Sequence, residues 1–533
     1  MKINVIPEPQ KFIISSQATV FTLTSFTHIG YTDECECAAK NFIEFCQKVF
    51  EITPVGTGKE SIILSRDDSI ENKEGYRISV THDSVYITYR EPAGAFYAVQ
   101  TLKQLLLQGE RSLPQLEIDD YPHYEYRGFM LDVSRYFFSV DAVKLFLDAM
   151  ALHKLNKFHW HLTDDQGWRV ELYNHLLLAQ IGGFRAYTNF GRKPHGGFYS
   201  KQDIEEIINY AHERYITVIP EIDSPGHIIS AIAAYPFLSC FDREIPVATH
   251  SGVKHDVLCV GKESTFDFMF SVFDELCEMF PDKIIHIGAD EVPTTRWKLC
   301  PHCQKRMKDN GLKDEKELHT YYLNRIADHI KSKGYEVIMW NDEIPSKISK
   351  DVIWQYFNTE QSSEQMAKEI NSSRRIINSF QPYYLDLPYG TTNLKQCYEY
   401  TPEMSTVTDE NKPNILGVEA CLWTEYVPTM KKAGYCTFPR LGAFCETAWT
   451  NERNKSFDRF LQKLPFYYKL LDTLPFDYAK MKQAMPNPIR KYGYLLYFER
   501  RKLHWQGLHN IIDNKNVEKT YRKTLDKNTE ANK

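Results

Sequence analysis

An apolar run, Ile284-Ile285-His286-Ile287, leads through Gly288-Ala289 into two adjacent carboxylates, Asp290 and Glu291. Like charges side by side repel, so the pair adds little stability at the end of a buried strand. It becomes useful when one group holds a proton and the other is charged. Taken alone, such a pair is most often a solvated surface feature, so its company decides. Other short apolar runs end in polar residues too. One runs into Asp132, Ser134 and Arg135, another into Asp164-Asp165, and a third into Glu221, Asp223 and, beyond Pro225-Gly226, His227. Later runs end in Trp340-Asn341-Asp342-Glu343, in Gln355, in Tyr384 and Asp386, and in Trp423-Thr424-Glu425. Acids, an Arg, a His and several Trp in one cup suit an uncharged polyhydroxylated ligand. Carboxylates and Arg bind vicinal hydroxyls, Trp faces cover C–H surfaces, and acids that exchange protons suit glycosidic cleavage. Sequence neighbours point in different directions at a strand end, so Asp290 and Glu291 are not expected to flank one bond as acid and nucleophile.

The elements that must position these residues are legible as periodicity. Eight apolar runs fall at 128–133, 157–162, 216–220, 283–287, 336–339, 351–354, 375–378 and 415–422. Helical patterns at 140–154, 201–215, 265–280, 315–334 and 363–370 lie between them. This alternation predicts an α/β fold, a (β/α)8 TIM barrel, whose active-site face lies at the C-terminal ends of the strands. Period two turns Phe158, Trp160 and Leu162 towards the helices, and His159 and His161 towards the barrel interior. Residues 1–121 read as a separate small α/β domain, with helices at 38–50 and 93–107 and a hairpin pairing 76–80 with 85–89. The boundary falls near Asp119-Asp120-Tyr121-Pro122. The barrel then occupies 122–475, and 476–533 forms a helical C-terminal extension that packs on the barrel or mediates self-association, its last ten residues polar. Monomer and homodimer both stay open.

The 533 residues, 43% hydrophobic and 25% charged, fit a soluble globular protein of two or three domains. A net charge of −6, with no basic block before the last helix, argues against nucleic acid. No apolar run approaches the ~20 residues of a membrane span. Met1 to Pro9 carry neither an apolar core nor a small-residue cleavage site. The reading is therefore cytoplasmic for the chain as it stands, and periplasmic or secreted if a leader has been removed. The twelve cysteines form no regular framework, which favours a reducing compartment. Cys300-Pro301-His302-Cys303 invites a zinc reading, but a structural site needs four ligands and no second pair lies near in sequence. The expectation is a loop with two thiols near a helix start, with no metal and no cofactor.

Five motifs together resemble family 20 glycoside hydrolases, the β-N-acetylhexosaminidases. They are Arg127-Gly-Phe-Met-Leu-Asp-Val-Ser-Arg135, His159-Trp-His-Leu-Thr-Asp-Asp-Gln-Gly-Trp168, Pro220-Glu-Ile-Asp-Ser-Pro-Gly-His227, His286-Ile-Gly-Ala-Asp-Glu-Val292 and Glu419-Ala-Cys-Leu-Trp-Thr-Glu425. The resemblance implies a retaining exo-enzyme that removes terminal non-reducing β-linked N-acetylglucosamine, with N-acetylgalactosamine as a further candidate. It implies substrate-assisted catalysis, in which the substrate's own 2-acetamido oxygen attacks the anomeric carbon and forms an oxazolinium intermediate. By position Glu291 is then the general acid/base, and Asp290 accepts the acetamido N–H. Tyr384 aims the acetamido oxygen, and Trp340 and Trp423 wall the methyl pocket. Arg135, Glu425 and Asp386 hold ring hydroxyls, and Asp164 and His227 form a relay behind Glu291, whose pKa is expected to be raised. Two departures stand out. Ala289 occupies a frequent glycine position, a harmless change for so small a side chain. Strand six lacks the usual Trp after Gln355, leaving Phe357 or Trp354 for that wall.

Trp160 and Trp168 read as packing residues and Arg127 as a structural ion-pair partner, while Arg440 and Glu446 are as readily structural as functional. An Asp386 carboxylate near O4 or O6 would disfavour 6-sulfated sugars. Rival readings are a disaccharide-releasing or 6-sulfo-N-acetylglucosamine-specific enzyme of the same family, and a non-catalytic carbohydrate-binding protein. A metal-dependent amidohydrolase, suggested by His159-x-His161, would need further histidines where strands five and six offer Trp340, Asn341 and Gln355.

Overall fold

The computed structural model describes residues 3–15, 20–54, 61–342, 347–357 and 363–502. Eight parallel strands close a barrel. They are β1 (Tyr126–Asp132), β2 (Lys157–His161), β3 (Thr217–Glu221), β4 (Ile284–His286), β5 (Glu336–Trp340), β6 (Ile353–Tyr356), β7 (Ile376–Asn378) and β8 (Ile415–Leu422), with β8 pairing back onto β1. Each run expected to be a strand is one. The sixth is displaced by two residues, because Asp351 and Val352 lie in the turn that precedes it. Glu343 and residues 503–533 lie outside the described residues.

Helices bury one face of each crossover, among them Val140–Leu152, Lys201–His212, Glu263–Met279, Glu315–Ser332 and Ser363–Asn371. Their starts are set by capping chemistry. Ser200 and Asp203 form a reciprocal capping box, and Asp314 accepts from the Glu317 N–H at 2.9 Å. Inside the barrel the side chains form layers. Tyr126, Ile219, Ile338, Ile353 and Ile377 plug one level. His159, Glu221, His286 and Glu419 form a buried charged level. Met130, Trp340 and Cys421, with Phe357, Tyr384 and Trp423 against them, form an apolar level at the strand ends. His159 and His161 face inward, while Trp160 packs outward on Tyr199.

The N-terminal domain is a six-stranded sheet in the order Lys11–Ile14, Leu116–Asp120, Tyr76–Val80, Ser84–Tyr89, Ser61–Arg66, His28–Gly30, with the helices Glu36–Phe50 and Pro92–Gln108. It joins the barrel through buried ions rather than through a loose linker. Asp120, wholly buried, accepts from Lys154 Nζ at 3.0 Å and from Trp449 Nε1 at 2.9 Å, and from the Tyr76 hydroxyl. Arg127 meets Glu74 at 2.7 Å and stacks over Tyr97 and Trp449. Arg440 donates to the carbonyls of Leu387, Thr392 and Cys436, and Glu446 pairs with Lys463, so both brace the structure. Beyond the barrel, Met481–Ala484 and Pro488–Lys502 are helical. Removing one partner of a buried ion pair costs about 3–5 kcal/mol. Asp120→Ala is therefore expected to lower the urea midpoint of the full chain markedly, whereas Asp119→Ala, half-exposed on the same strand, leaves it nearly unchanged.

Candidate active site

The ends of β3 and β4 shape the carboxylate pair. Gly288, Ala289 and Glu291 all have positive φ, 71°, 94° and 49°. A Cβ on Gly288 would stand 1.8 Å from Asp223 Oδ1, so glycine is required there on two counts. Ala289 is not the harmless replacement expected. Its backbone is held in a region that favours glycine, and its N–H donates to Asp223 Oδ1 at 3.2 Å. The Glu291 N–H donates to Asp342 Oδ2 at 2.6 Å. This contorted turn buries the Asp290 carboxyl and leaves the Glu291 side chain half exposed.

His227, itself at φ 48°, stands between the acids. Its Nε2 lies 3.5 Å from Glu291 Oε2 and 3.8 Å from Asp290 Oδ2, and its Nδ1 lies 3.3 Å from Asp164 Oδ1. Burial would raise the Asp164 pKa. The Arg135 guanidinium, 2.6 Å away, and the His227 ring outweigh it and hold this carboxyl well below the usual range. Burial opposes charge on His227 as well, yet Asp164 keeps its pKa well above that of free imidazole.

Asp290 and Glu291 are pushed apart, in the sense opposite to the expectation. Burial, helped by Glu291, lifts Asp290 to about 7 against the pull of His227. Glu291 is lowered, because the His227 cation touches its charged form while half of the side chain stays in water. In the unliganded site the proton of the pair thus resides on Asp290.

At the strand ends stands an aromatic wall, whose Tyr384 feels the charges of Asp290 and Glu291. The Trp340 ring lies 5.6 Å from Trp423 and 5.4 Å from Phe357, and Tyr384 lies 6.3 Å from Trp423. Phe357, not Trp354, takes the wall. Gln355 points inward to Glu419 and Ser379, and period two carries Phe357 to the same side, where its N–H is fixed by Asn341 Oδ1 at 2.8 Å. Trp354 points outward under Arg374. The Tyr384 hydroxyl is buried and makes no hydrogen bond among the described residues. Arg135 binds Asp132 at 3.1 Å, reaches Glu425 at 3.8 Å and stacks on Trp423. Burial, with Glu425 beside it, lifts Asp386 to about 8, so in the unliganded site it is uncharged at neutral pH. The charge repulsion expected against a 6-sulfate is therefore absent there until the pH passes that value.

Beneath lies a layer that the choice of candidate residues overlooked. Glu221 accepts from Trp340 Nε1 at 2.7 Å and meets His159 at 2.9 Å, His286 at 3.0 Å and His161. Burial would neutralise this carboxyl, but the imidazoles hold it far below its usual range. Asp132, Asp223 and Asp342, also omitted, fix the backbone around Arg135, Ala289 and Glu291. All stand at strand ends, so the convergence that singled out the others was their available signal.

A barrel whose strand ends carry a split carboxylate pair, a charged relay and an aromatic cup suits glycosidic cleavage. Comparison with known proteins agrees. The glycosyl hydrolase family 20 catalytic domain matches residues 124–452, and domain 2 of that family matches 2–121. The chain belongs to glycosyl hydrolase family 20. A beta-hexosaminidase of Porphyromonas gingivalis is 35% identical over 489 residues, covering 87% of this chain; the chain spans 62% of that relative's length. A solved GH20 exo-beta-N-acetylglucosaminidase from Vibrio harveyi, in complex with N-acetylglucosamine, superposes with a TM-score of 0.81 at 29% identity, covering 90% of this chain and 78% of that one. The beta-N-acetylhexosaminidase of Bacteroides fragilis gives 0.77 at 31% identity, covering 91% and 99%. No helix among the described residues is long and apolar enough to cross a membrane.

Proposed function

We propose that the chain is a retaining exo-β-N-acetylhexosaminidase that removes terminal β-linked N-acetylglucosamine by substrate-assisted catalysis, with N-acetylgalactosamine as a further substrate. The observation that carries the reading is the split pair. Asp290 is buried, Glu291 is half exposed and backed by His227 and Asp164, and the charges of both reach Tyr384 in the aromatic cluster of Trp340, Phe357 and Trp423. In this reading Arg135, Glu425 and Asp386 bind ring hydroxyls, and the 2-acetamido methyl enters the cage. Asp290 accepts the acetamido N–H, and the Tyr384 hydroxyl, without a hydrogen bond among the described residues, donates to the acetamido oxygen. That oxygen attacks C1 as the C1–O bond to the leaving group breaks, and the Glu291 proton passes to the departing oxygen. Asp290 stabilises the positive charge that develops on the oxazolinium. Water then attacks C1, gives its proton to Glu291, and the acetamido group reforms with net retention.

The direct test compares an aryl β-N-acetylglucosaminide with the matching β-glucoside. Only the first should be cleaved. Glu291→Gln should lose about 10²–10⁴-fold in kcat, and Asp290→Asn about 10²–10³-fold. Equal cleavage of both glycosides overturns acetamido participation.

The pH profile follows from the proton count of the pair. Catalysis requires the proton on Glu291 and the charge on Asp290; the resting site has the reverse arrangement with the same total. The profile of kcat/KM should therefore be a bell. Activity falls as pH rises through about 7, where the pair loses its one proton, and falls in acid as a second proton neutralises both groups. His227 lowers both pKa values, so His227→Ala should move both limbs to higher pH. An unchanged profile overturns the relay.

Because Asp386 ionises near 8, preference for a neutral substrate over its 6-sulfated counterpart should increase between pH 6.5 and 9, roughly across that pKa. Asp386→Asn should abolish the trend.

A further inference from the structure

Four cysteines far apart in sequence meet on the loops that carry the acid–base machinery. Cys240 follows the short turn Pro236–Leu238 after β3, and Cys259 lies just before the helix Glu263–Met279. Cys300 and Cys303 flank the start of Pro301–Asp309 after β4. The expectation of two isolated thiols at Cys300 and Cys303 is corrected by this convergence. The second pair is split across a long loop, so no spacing motif announces it.

All four side chains are buried, and none is in a disulfide. Their sulfurs lie within 4.8 Å of one another. The separations are 3.6 Å for Cys259–Cys300, 3.8 Å for Cys259–Cys303 and 3.9 Å for Cys240–Cys303. A disulfide needs about 2.05 Å. Four thiolates about 2.3 Å from one tetrahedral ion stand about 3.8 Å apart along each edge. The observed separations match that tetrahedron.

The backbone is shaped to the same end. A Cβ on Gly261 would stand 2.2 Å from the His302 carbonyl carbon and 2.3 Å from the Cys303 nitrogen, so the turn after Cys259 presses directly on the turn carrying Cys303. The Cys259 N–H donates to the Leu238 carbonyl at 2.7 Å, and the Trp297 indole donates to the Leu258 carbonyl at 2.8 Å. Lys262 Nζ donates to the Ser239 carbonyl at 2.8 Å and to Asp242, fixing the turn that leads into Cys240. The four sulfurs are therefore held in place by the chain around them.

We infer that Cys240, Cys259, Cys300 and Cys303 form a structural tetrathiolate zinc site that staples the β3 loop, bearing His227, to the β4 loop, bearing Asp290 and Glu291. Hard cations prefer oxygen ligands, whereas a closed tetrahedral set of four thiolates selects zinc. With four protein ligands no position is open for substrate, so the ion would hold geometry and take no part in the reaction.

The test uses the full chain, purified without chelator from cells grown with added zinc. Elemental analysis should find about one zinc per chain, and titration of the thiols with a mercurial should release it. Reconstitution with cobalt(II) should give the thiolate-to-cobalt charge-transfer and d–d bands of a tetrahedral tetrathiolate site. Cys240→Ser should abolish these bands, and Cys46→Ser, in the N-terminal domain, should keep them. Substoichiometric metal with no charge-transfer band, or disulfides linking these cysteines in the native protein, overturns the site. Iron in place of zinc overturns the choice of ion. None of these readouts uses hydrolysis, so their outcome is separate from that of the glycosidase assay.

Discussion

The buried Glu221 carboxylate is the constraint on which the site depends. A charge in the middle of a barrel is tolerable only when its lone pairs are filled and its charge is matched. Here His159, His161, His286 and the Trp340 indole do both. Their rings are locked as a result, and each passes the constraint upward. Trp340 is fixed as the floor of the aromatic cage. His161 reaches Asp164 at 3.1 Å, Asp164 reaches His227 at 3.3 Å, and His227 reaches Glu291 at 3.5 Å. One chain of alternating charge thus runs from the barrel centre to the half-exposed carboxyl of Glu291.

The same chain explains why two adjacent carboxylates behave differently. Their sequence positions are equivalent, but the backbone turn buries one and exposes the other. Burial lifts Asp290 to about 7, while the His227 cation lowers Glu291, so the first proton taken up favours Asp290. In the proposed mechanism substrate reverses this arrangement. An acetamido N–H on Asp290 favours its charged form, and a bound sugar over Glu291 excludes the water that stabilises its charge. Backbone strain is present at the same place. Gly288, Ala289, Glu291 and His227 have positive φ and lie in the two loops that meet at the pair. The proposed zinc staple joins those two loops, and a fixed separation between them would resist relaxation of the strained turn.

Much of this was legible in the chain. Apolar runs of period two, separated by helical spacings, are enough to define the barrel. Polar residues at the C-terminal end of every strand are enough to define its working face. His159 and His161 could be turned inward by alternation alone. Phe357 and Trp354 could not be separated as wall candidates until the extent of β6 showed which lies on the inward side with Gln355. Ala289 looked innocuous because side-chain size is visible in a sequence and φ is not.

What the sequence determined by itself is the set of local periodicities and the chemical types at the strand ends, because strand and helix spacing depend on neighbours a few residues away. Tertiary structure alone decided protonation and convergence. The direction of the Asp290 and Glu291 shifts depends on burial and on a histidine brought from the loop after another strand. The proton on Asp386 depends on burial against Glu425. The four-cysteine cluster depends on two loops folding together across a separation of more than sixty residues. Electrostatics and ligand geometry act through space, and only the folded barrel fixes those distances.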